Sequence, residues 1–421
     1  MQQRRGLGCI GTFLAMILIV LMAVFLIIVT IGMAMYFSDD KLSSSSSKKA
    51  EVKTETETNV AEEIQYIGID EISDEPGRRM YLQLSELEKE LYLNVREYIA
   101  RGEDNFTIEF TGYEKSGIWS SIKRALEALY YDYPEFFWWF QESHAHTEEL
   151  GNQKIRYEIQ LTFSDYWEYV LDKDSYIEEM TKKAEEIVAN AEQYSTTYER
   201  VKYVHDYLVE HVTYDYECAE KNYQTVKEAS NEQSHTTYGA LVKGLAVCDG
   251  YARSFQMLMN MLGIECEYIE GYTGGLHAWN YIKLDGENYW MDVTWDDLGF
   301  AEYPEAVKYD YFCCTSEELY NTHSPKEVFE IPECTATEYS FFHRENCYLD
   351  NYNFNEFCEA IQDQKGEQLV SVRLSSKEEF QKAKTDLFRD GGRYFKIPYF
   401  GKFPCHYIAN EDTLVIGMLF D

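Results

Sequence analysis

The sequence predicts an α+β protein that follows an N-terminal membrane helix. Three observations favour this class: stretches with helical spacing, stretches that alternate apolar and polar residues as strands do, and a charge-free N-terminal segment. With 421 residues, 45% of them hydrophobic, the chain is long enough for more than one domain with a buried core. The formal net charge of −36 argues against a nucleic-acid partner, because phosphate contacts require cationic side chains.

The first predicted element is a transmembrane helix. Residues 6–37 contain no charged side chain, and this span exceeds the roughly 20 apolar residues that cross a bilayer. We expect residues 1–5 to form a cytoplasmic tail and residues 38–75, rich in Ser, Thr, Glu and Lys, to form a disordered stalk. Basic residues on both sides leave the orientation open, but the short tail and the stalk favour a single-pass protein of the cell membrane whose folded region lies outside the cytoplasm.

Residues 76–172 are predicted to form an N-terminal α/β domain. Helical spacing runs through "YLQLSELEKELYLNVREYIARG", and "NFTIEF" and "KIRYEIQLTF" alternate as strands do. A second helix should end before Pro134, which disfavours helical geometry in the preceding residue. The aromatic run at 136–140 fits either a glycan-stacking platform or a buried cluster, and we favour the cluster because large aromatic side chains dominate core burial.

Residues 173–335 are predicted to form a second domain and residues 336–421 a small C-terminal α/β domain. The second domain begins with two long helical patterns, and the later of them carries His205 and His211, six positions apart. That spacing does not place both on one helix face, so we interpret them as structural or surface residues. The C-terminal domain reads helix, strand, helix and a closing strand, "DTLVIGMLF".

The ten cysteines include no Cys-x-x-Cys pair and no Cys/His cluster with zinc spacing, so no metal site is predicted. They are too sparse for a disulfide scaffold, and the adjacent Cys313 and Cys314 are interpreted as core or semi-buried thiols.

The stretch "GLAVCDGYARSFQMLMNMLG" places Cys248 at the start of a helix with an apolar face. Unsatisfied backbone N–H groups at a helix start favour an anion, so we expect the pKa of Cys248 to fall into the range of about 3.5–7.5. Cys248 should then be alkylated faster than the other cysteines near pH 6. A lone cysteine is more often a packing residue, so its chemical role depends on the segment that follows.

That segment, "GGLHAWNYIKLDGENYWMDVTWDD" at residues 274–297, has two alternating stretches around an Asp-Gly turn of the type I′ kind. Counting outward from the turn places His277 opposite Thr294 and diagonal to Asp292, on one face of the ribbon together with Asp296. A histidine that binds a carboxylate through one nitrogen can take a thiol proton with the other. The pattern therefore predicts a nucleophile, a base and an orienting acid.

With "YGALVKGLAVCDGYARSF" and "YDYFCCTSEEL", this segment resembles the transglutaminase-like superfamily of papain-type cysteine enzymes, in its bacterial form, over roughly residues 175–325. The resemblance implies a papain-like core in which a helix packs on an antiparallel sheet. It assigns Cys248 as nucleophile, His277 as base and Asp292 as orienting acid. It also implies a thioester acyl-enzyme on protein or peptide amides, with water or an amine as acceptor. No acidic loop has EF-hand spacing, so neither calcium nor another cofactor is predicted.

An oxyanion hole would use the Cys248 backbone N–H and one side chain, for which Tyr238 ranks before Gln233. Trp279 is a further candidate for substrate contact. Two other functions remain open: a catalytically silent binding or scaffold protein of the cell envelope, and an envelope protein whose 36 Tyr and 7 Trp hold glycans. The intact Cys, His and Asp set favours the enzyme, and the sequence leaves the oligomeric state undetermined.

Overall fold

The computed structural model describes residues 78–420, apart from 104, 112–114, 152–153, 164–172, 222–231, 300–302, 304–305, 365, 398–401 and 403. The described residues all belong to one compact unit. The predicted tail, membrane helix and stalk lie outside them. Among the described residues, no helix combines the length and apolar character that a membrane span requires.

The predicted first helix is divided in two, α1 (Arg79–Leu82) and α2 (Glu86–Arg101). The division arises because Ser85 caps α2: its side chain accepts the Glu88 backbone N–H, and the Glu88 carboxylate accepts the Ser85 N–H. The predicted end of the helix is confirmed at Gly102, whose φ of 72° is a left-handed conformation that glycine adopts without strain.

An antiparallel sheet follows, with the strand order β1-β3-β2. The elements are β1 (Asn105–Thr111), α3 (Lys115–Asp132), β2 (Trp139–Gly151) and β3 (Lys154–Phe163). β2 was not predicted, because its charged "QESHAHTEEL" lacks apolar alternation. Aromatic residues 136–139 are at most 9% exposed. At these positions the expected buried cluster is confirmed, in preference to the glycan-stacking platform.

The central region is built on a second antiparallel sheet, with the order β8-β7-β6-β9. Its helices are α4 (Lys173–Ala191), α5 (Thr197–His211), α6 (Tyr216–Glu220), α7 (Cys248–Met261), α8 (Val293–Asp296) and α9 (Ser316–Leu319). Its strands are β4 (Thr213–Tyr214), β5 (Leu245–Ala246), β6 (Cys266–Tyr272), β7 (Leu276–Leu284), β8 (Glu287–Met291) and β9 (Ser324–Pro325). Helix α7 packs on β6 and β7, and Asn280 of β7 donates to the Ala252 carbonyl of α7 at 2.9 Å. The predicted helix on an antiparallel sheet is confirmed.

The predicted hairpin turn is confirmed, since Asp285 and Gly286 have φ of 51° and 89°, both positive as a type I′ turn requires. The prediction that the second strand continues through Thr294 and Asp296 is wrong. The β7–β8 ladder ends at Met291, and Asp292 caps α8 by accepting the Trp295 backbone N–H at 3.0 Å. This cap favours helical geometry over a longer strand.

The C-terminal region contains a sheet of order β10-β11-β13-β12. Its elements are α10 (Phe341–Arg344), β10 (Tyr348–Leu349), α11 (Phe354–Asp363), β11 (Leu369–Leu374), α12 (Lys377–Phe388), β12 (Pro404–Asn410) and β13 (Val415–Phe420). The predicted helix, strand, helix and closing strand are confirmed. β12 was not predicted, because an edge strand that is largely accessible to solvent shows little apolar alternation. The domain boundaries at 172/173 and 335/336 stay predictions.

The N-terminal region braces α7 through the end of α3. Arg253 donates to the Tyr130 carbonyl at 2.8 Å and lies 3.8 Å from the centroid of the Tyr130 ring, and Gln256 donates to the Tyr131 carbonyl at 2.8 Å. Carbonyls in the last turn of a helix have no intrahelical partner, so these buried side chains satisfy them. The brace restrains the helix that begins with Cys248.

Glu267 on β6 carries an electrostatic cost of folding. The residue is 0% exposed, and among the described residues neither carboxylate oxygen has a hydrogen-bond partner. Burial, and then the charge of Asp132, raises the pKa of Glu267 well above its usual value. The folded state holds this proton more tightly than the unfolded chain does. The contribution of Glu267 to the free energy of unfolding is therefore most favourable below the unfolded-state pKa of about 4.3. It is lost as the pH rises toward the folded-state pKa.

We therefore expect Glu267→Gln to raise the free energy of unfolding near pH 8 by about 1–3 kcal/mol and to flatten its decline between pH 5 and 8. Thermal unfolding of the purified protein across this range measures both effects. Glu265→Gln is the matched control, because that partly exposed acid pairs with Lys283 at 3.8 Å and should change stability by less than about 1 kcal/mol. Equal pH dependence in Glu267→Gln and the parent protein would contradict the expectation.

Candidate active site

Cys248 is the first residue of α7, as predicted, and a neighbouring loop closes over this helix start. The Val247 N–H donates to the Ser234 carbonyl at 2.8 Å. Gly250 makes the approach possible, because a Cβ there would lie 2.6 Å from the Ser234 carbonyl oxygen and 2.7 Å from the Ala246 Cβ. Only glycine fits without displacing the loop.

The thiol of Cys248 is less acidic than its helix position predicts. Burial raises the pKa of Cys248 most, the adjacent Asp249 carboxylate raises it further, and hydrogen bonds from the backbone N–H groups of Ala278 and Asp249 lower it. The net direction is upward, so the expectation of a lowered pKa is wrong. Desolvation and a carboxylate oxygen 3.8 Å from Sγ outweigh the helix start. The resting group is a thiol, which needs a base to become a nucleophile.

The structure brings His277 and Asp292 into contact, with Nε2 of His277 2.7 Å from Oδ2 of Asp292. A carboxylate can only accept, so Nε2 carries the proton and Nδ1 is the nitrogen left to accept a thiol proton. His277 precedes Ala278, whose backbone N–H reaches the Cys248 thiol. His277 thus contacts Asp292, and Cys248 contacts the backbone of the residue that follows His277, while the catalytic roles of the three residues stay a prediction.

The Asp292 carboxylate is fully buried and accepts three hydrogen bonds. Oδ1 accepts the Trp295 backbone N–H at 3.0 Å, while Oδ2 accepts from His277 at 2.7 Å and from His323 at 2.9 Å. Burial alone would raise the pKa of Asp292, but the hydrogen bonds and charges of the two imidazoles outweigh it and lower the pKa. The group remains an anion despite its burial.

Sequence reasoning missed His323. It precedes the two-residue strand β9, which pairs with β6 at Gly271 and Tyr272, and no local pattern in "YNTHSP" announces that pairing. Among the described residues, His277, Asp292 and His323 are the one group whose ligand atoms all lie within 4.8 Å of one another, as a metal ion would need. The sequence offered no metal-ligand spacing because these residues lie far apart along the chain.

A second thiol, imidazole and carboxylate set lies beside the first. Sγ of Cys218 is 3.6 Å from Nε2 of His235, whose Nδ1 is 2.7 Å from Oδ2 of Asp249. Burial opposes the charge on His235, but hydrogen bonds to Asp249 and Cys218 raise its pKa to about 10. Cys218 is 1% exposed, whereas Cys248 is partly accessible and better placed to meet a substrate. None of the three residues of this set was singled out from the sequence.

Of the two side-chain candidates for the oxyanion hole, Tyr238 has another role in the structure, and Gln233 stays a prediction. The Tyr238 hydroxyl is committed to Oε2 of Glu179 at 2.7 Å in a residue that is 1% exposed, which does not favour an oxyanion role. Gln233 begins a short 3₁₀ turn, and its backbone carbonyl accepts the Thr236 hydroxyl at 2.7 Å. The first backbone N–H groups of α7 have no intrahelical acceptor and remain the better oxyanion donors.

Trp279 is buried, and the two histidines of α5 are structural. Trp279 is 0% exposed and packs its ring 4.9 Å from that of His323, so its burial does not favour the expected contact with substrate, which stays a prediction. His205 is buried between Asp206 and Asp296, with its nitrogens 3.0 and 3.2 Å from their carboxylates. His211 lies at the surface, as expected for a residue without a metal-ligand role.

Part of this chain is similar in sequence to known proteins. The sequence profile of the transglutaminase-like superfamily matches residues 181–294. The kyphoscoliosis peptidase of Homo sapiens is 29% identical over 139 residues, which cover 29% of this chain and 20% of that protein. The kyphoscoliosis peptidase of Mus musculus is 30% identical over 111 residues, which cover 23% of this chain and 15% of that protein. The chain thus spans a fifth or less of the length of these relatives.

Among solved structures, the crystal structure of a TGase aligns with a TM-score of 0.27 and 20% identity over 46% of this chain and 51% of that chain. The curated relatives are mammalian, so the bacterial form stays a prediction. The profile match covers Cys248, His277 and Asp292 in a single segment. Residues 181–294 of this chain thus match the transglutaminase-like superfamily as one continuous segment.

Proposed function

We propose that this protein is a membrane-anchored cysteine enzyme that forms a thioester on protein or peptide amides. The observation that carries the proposal is the His277–Asp292 hydrogen bond of 2.7 Å beside the helix start that presents Cys248. This pairing leaves Nδ1 of His277 as the base for a thiol that is protonated at rest. The matched relatives are named peptidases, which agrees with chemistry at an amide carbonyl.

In the first half of the reaction, Sγ of Cys248 attacks the amide carbonyl carbon while Nδ1 of His277 takes the thiol proton. Backbone N–H groups at the start of α7 stabilise the oxyanion of the tetrahedral intermediate. The carbon–nitrogen bond then breaks, and His277 returns the proton to the leaving nitrogen. The products of this half are a free amine or ammonia and the Cys248 thioester.

In the second half, water or a primary amine attacks the thioester carbon and gives its proton to His277, which passes it to the departing sulfur. Water gives a carboxylic acid, and an amine gives a new amide. Throughout, Asp292 holds the Nε2–H of His277 and stabilises the imidazolium that forms transiently. The identity of the acceptor therefore decides between hydrolysis and cross-linking.

A second candidate is a transglutaminase-like binding or scaffold protein that retains the three residues without turnover. The observation that favours it is the raised pKa of the Cys248 thiol, because a thiol that no base deprotonates attacks nothing. The two candidates differ in one measurable respect, which is the formation of an acyl-enzyme on Cys248.

The assay for the proposal incubates the protein with a proteome-derived peptide mixture and a biotinylated primary amine, and follows biotin incorporation, ammonia release and new peptide N-termini by mass spectrometry. We expect Cys248→Ala to abolish all three signals and Asp292→Asn to reduce turnover by roughly 10⁴-fold, as replacement of a triad acid does elsewhere. Cys266→Ala, at a buried thiol on β6, is the control and should retain turnover. A Cys248→Ala protein as active as its parent would exclude this nucleophile, and a parent protein without any acylation would favour the scaffold.

Asp249 is expected to restrain the thiol, because its carboxylate raises the pKa of Cys248 second only to burial. Asp249→Asn removes that charge, so alkylation of Cys248 by iodoacetamide at pH 7.5 should be faster than in the parent protein. Peptide mass spectrometry of timed samples gives the rate at each cysteine. Glu217→Gln, an exposed acid of α6, should leave the rate unchanged. Slower labelling of Asp249→Asn would show that the carboxylate assists the thiol.

The anchor and the orientation are proposed from the charge-free residues 6–37 and the polar stretch behind them. We expect protease added to intact cells to remove the folded region. Complete protection in intact cells, combined with digestion after lysis, would place the folded region in the cytoplasm. A version beginning at residue 38 should leave the membrane fraction, which tests the anchor independently of orientation.

A further inference from the structure

Two imidazoles share one oxygen of the Asp292 carboxylate. Nε2 of His277 lies 2.7 Å and Nε2 of His323 lies 2.9 Å from the same Oδ2. The side chains of Asp292 and His323 are 0% exposed and that of His277 is 6% exposed, so water does not compete for these contacts. An ionised carboxylate donates nothing, and each Nε2 must therefore carry a proton.

The contacts of the other ring nitrogen, Nδ1 of His323, are consistent with a proton on Nε2. Nδ1 of His323 lies 2.7 Å from the Thr322 hydroxyl, closer than the 3.3 Å between that hydroxyl and the Leu319 carbonyl. Because Nε2 of His323 donates to Asp292, Nδ1 of a neutral His323 accepts, so the Thr322 hydroxyl donates to Nδ1, and its oxygen can accept from the Tyr311 hydroxyl at 3.1 Å. Tyr311 thus donates to Thr322, Thr322 to His323, and His323 to Asp292. In this arrangement a neutral His323 carries its proton on Nε2, facing Asp292.

The His323 ring is held in place by its neighbours. The rings of Trp295 and Trp279 lie 4.7 and 4.9 Å from it, centroid to centroid. Gly271 allows β9 to approach, since a Cβ at that position would lie 2.3 Å from both the Ser324 carbonyl oxygen and the Trp279 ring. The position of His323 is thus determined by packing on two sides and by hydrogen bonds at both nitrogens.

We propose that His323 is a positioning residue of the active site. Its Nε2–H occupies one lone pair of Asp292 Oδ2, so the carboxylate presents its other lone pair to Nε2–H of His277 in a single orientation. His277 is thereby kept in the tautomer that leaves Nδ1 for the Cys248 thiol. This inference rests on the proposed function and adds to it a residue that never meets the substrate.

The same three side chains could instead hold a divalent cation, since their ligand atoms lie within 4.8 Å of one another. Nitrogen and oxygen ligands about 2.0–2.1 Å from a tetrahedral zinc ion lie roughly 3.3 Å apart. The N–O separations of 2.7 and 2.9 Å are shorter and are ordinary hydrogen-bond lengths. Protons therefore fit these contacts better than a metal ion does, and the metal becomes an outcome of the test.

The kinetic test compares His323→Gln, whose amide N–H can reach Asp292, with His323→Leu, which cannot donate. We expect His323→Leu to lower kcat by about 10- to 100-fold with KM changed by less than about twofold, and His323→Gln to recover most of the loss. His211→Leu, at an exposed histidine of α5, should match the parent protein. Equal kcat in His323→Leu and the parent overturns the inference, as does a Gln variant no better than the Leu variant when both have the parent's unfolding temperature.

The spectroscopic test does not depend on activity or on a folded His323 variant. Histidine ring ¹⁵N–¹H correlation spectra of Cys248→Ala should show Nε2–H on both His277 and His323. Nδ1–H on a neutral His323 overturns the inference, and so does a zinc titration that shifts both rings at stoichiometric metal and is reversed by EDTA. A parent protein without acyl transfer would refute the proposed function alone, because the tautomers of the two rings would still be read.

Discussion

The buried Asp292 carboxylate is the constraint on which the active site depends. A charge in the protein interior is tolerated only when donors surround it, and Asp292 has three: the Trp295 backbone N–H, His277 and His323. These donors come from α8, from β7 and from the turn before β9. The Asp292 anion therefore fixes the junction between the β7–β8 hairpin and the short helix α8. It also fixes the orientation of the His277 imidazole.

The Cys248 thiol lies between opposing electrostatic effects. Backbone N–H groups of Ala278 and Asp249 favour a thiolate, while burial and the Asp249 carboxylate disfavour it, and the second pair prevails. His235, which binds Asp249 at 2.7 Å, offsets part of that negative charge. Under the proposed function, a thiol restrained in this way needs His277 as its base.

The regions outside the matched segment also contribute to the site. Arg253 and Gln256 of α7 bind carbonyls at the end of α3, which precedes residue 181 by a long interval, and β9 lies beyond residue 294. The polar contacts are buried, so replacing either side chain would leave carbonyl oxygens without partners. Contacts from regions before and after the segment that resembles the family thus help to fix the positions of Cys248 and Asp292.

The sequence alone determined the elements whose evidence is local. Helical spacing predicted α7 and its start at Cys248, and the Asp-Gly turn set a register that brings His277 near Asp292. Local patterns could not predict that Asp292 caps α8 and so ends β8, because capping depends on one side chain competing with a strand ladder. Tertiary structure alone decided the acidity of Cys248 and the presence of His323 at Asp292. Burial and a carboxylate at 3.8 Å set the acidity of Cys248, and the pairing of the two-residue strand β9 with β6 brings His323 to Asp292. Neither desolvation nor long-range strand pairing produces a periodic pattern in the sequence.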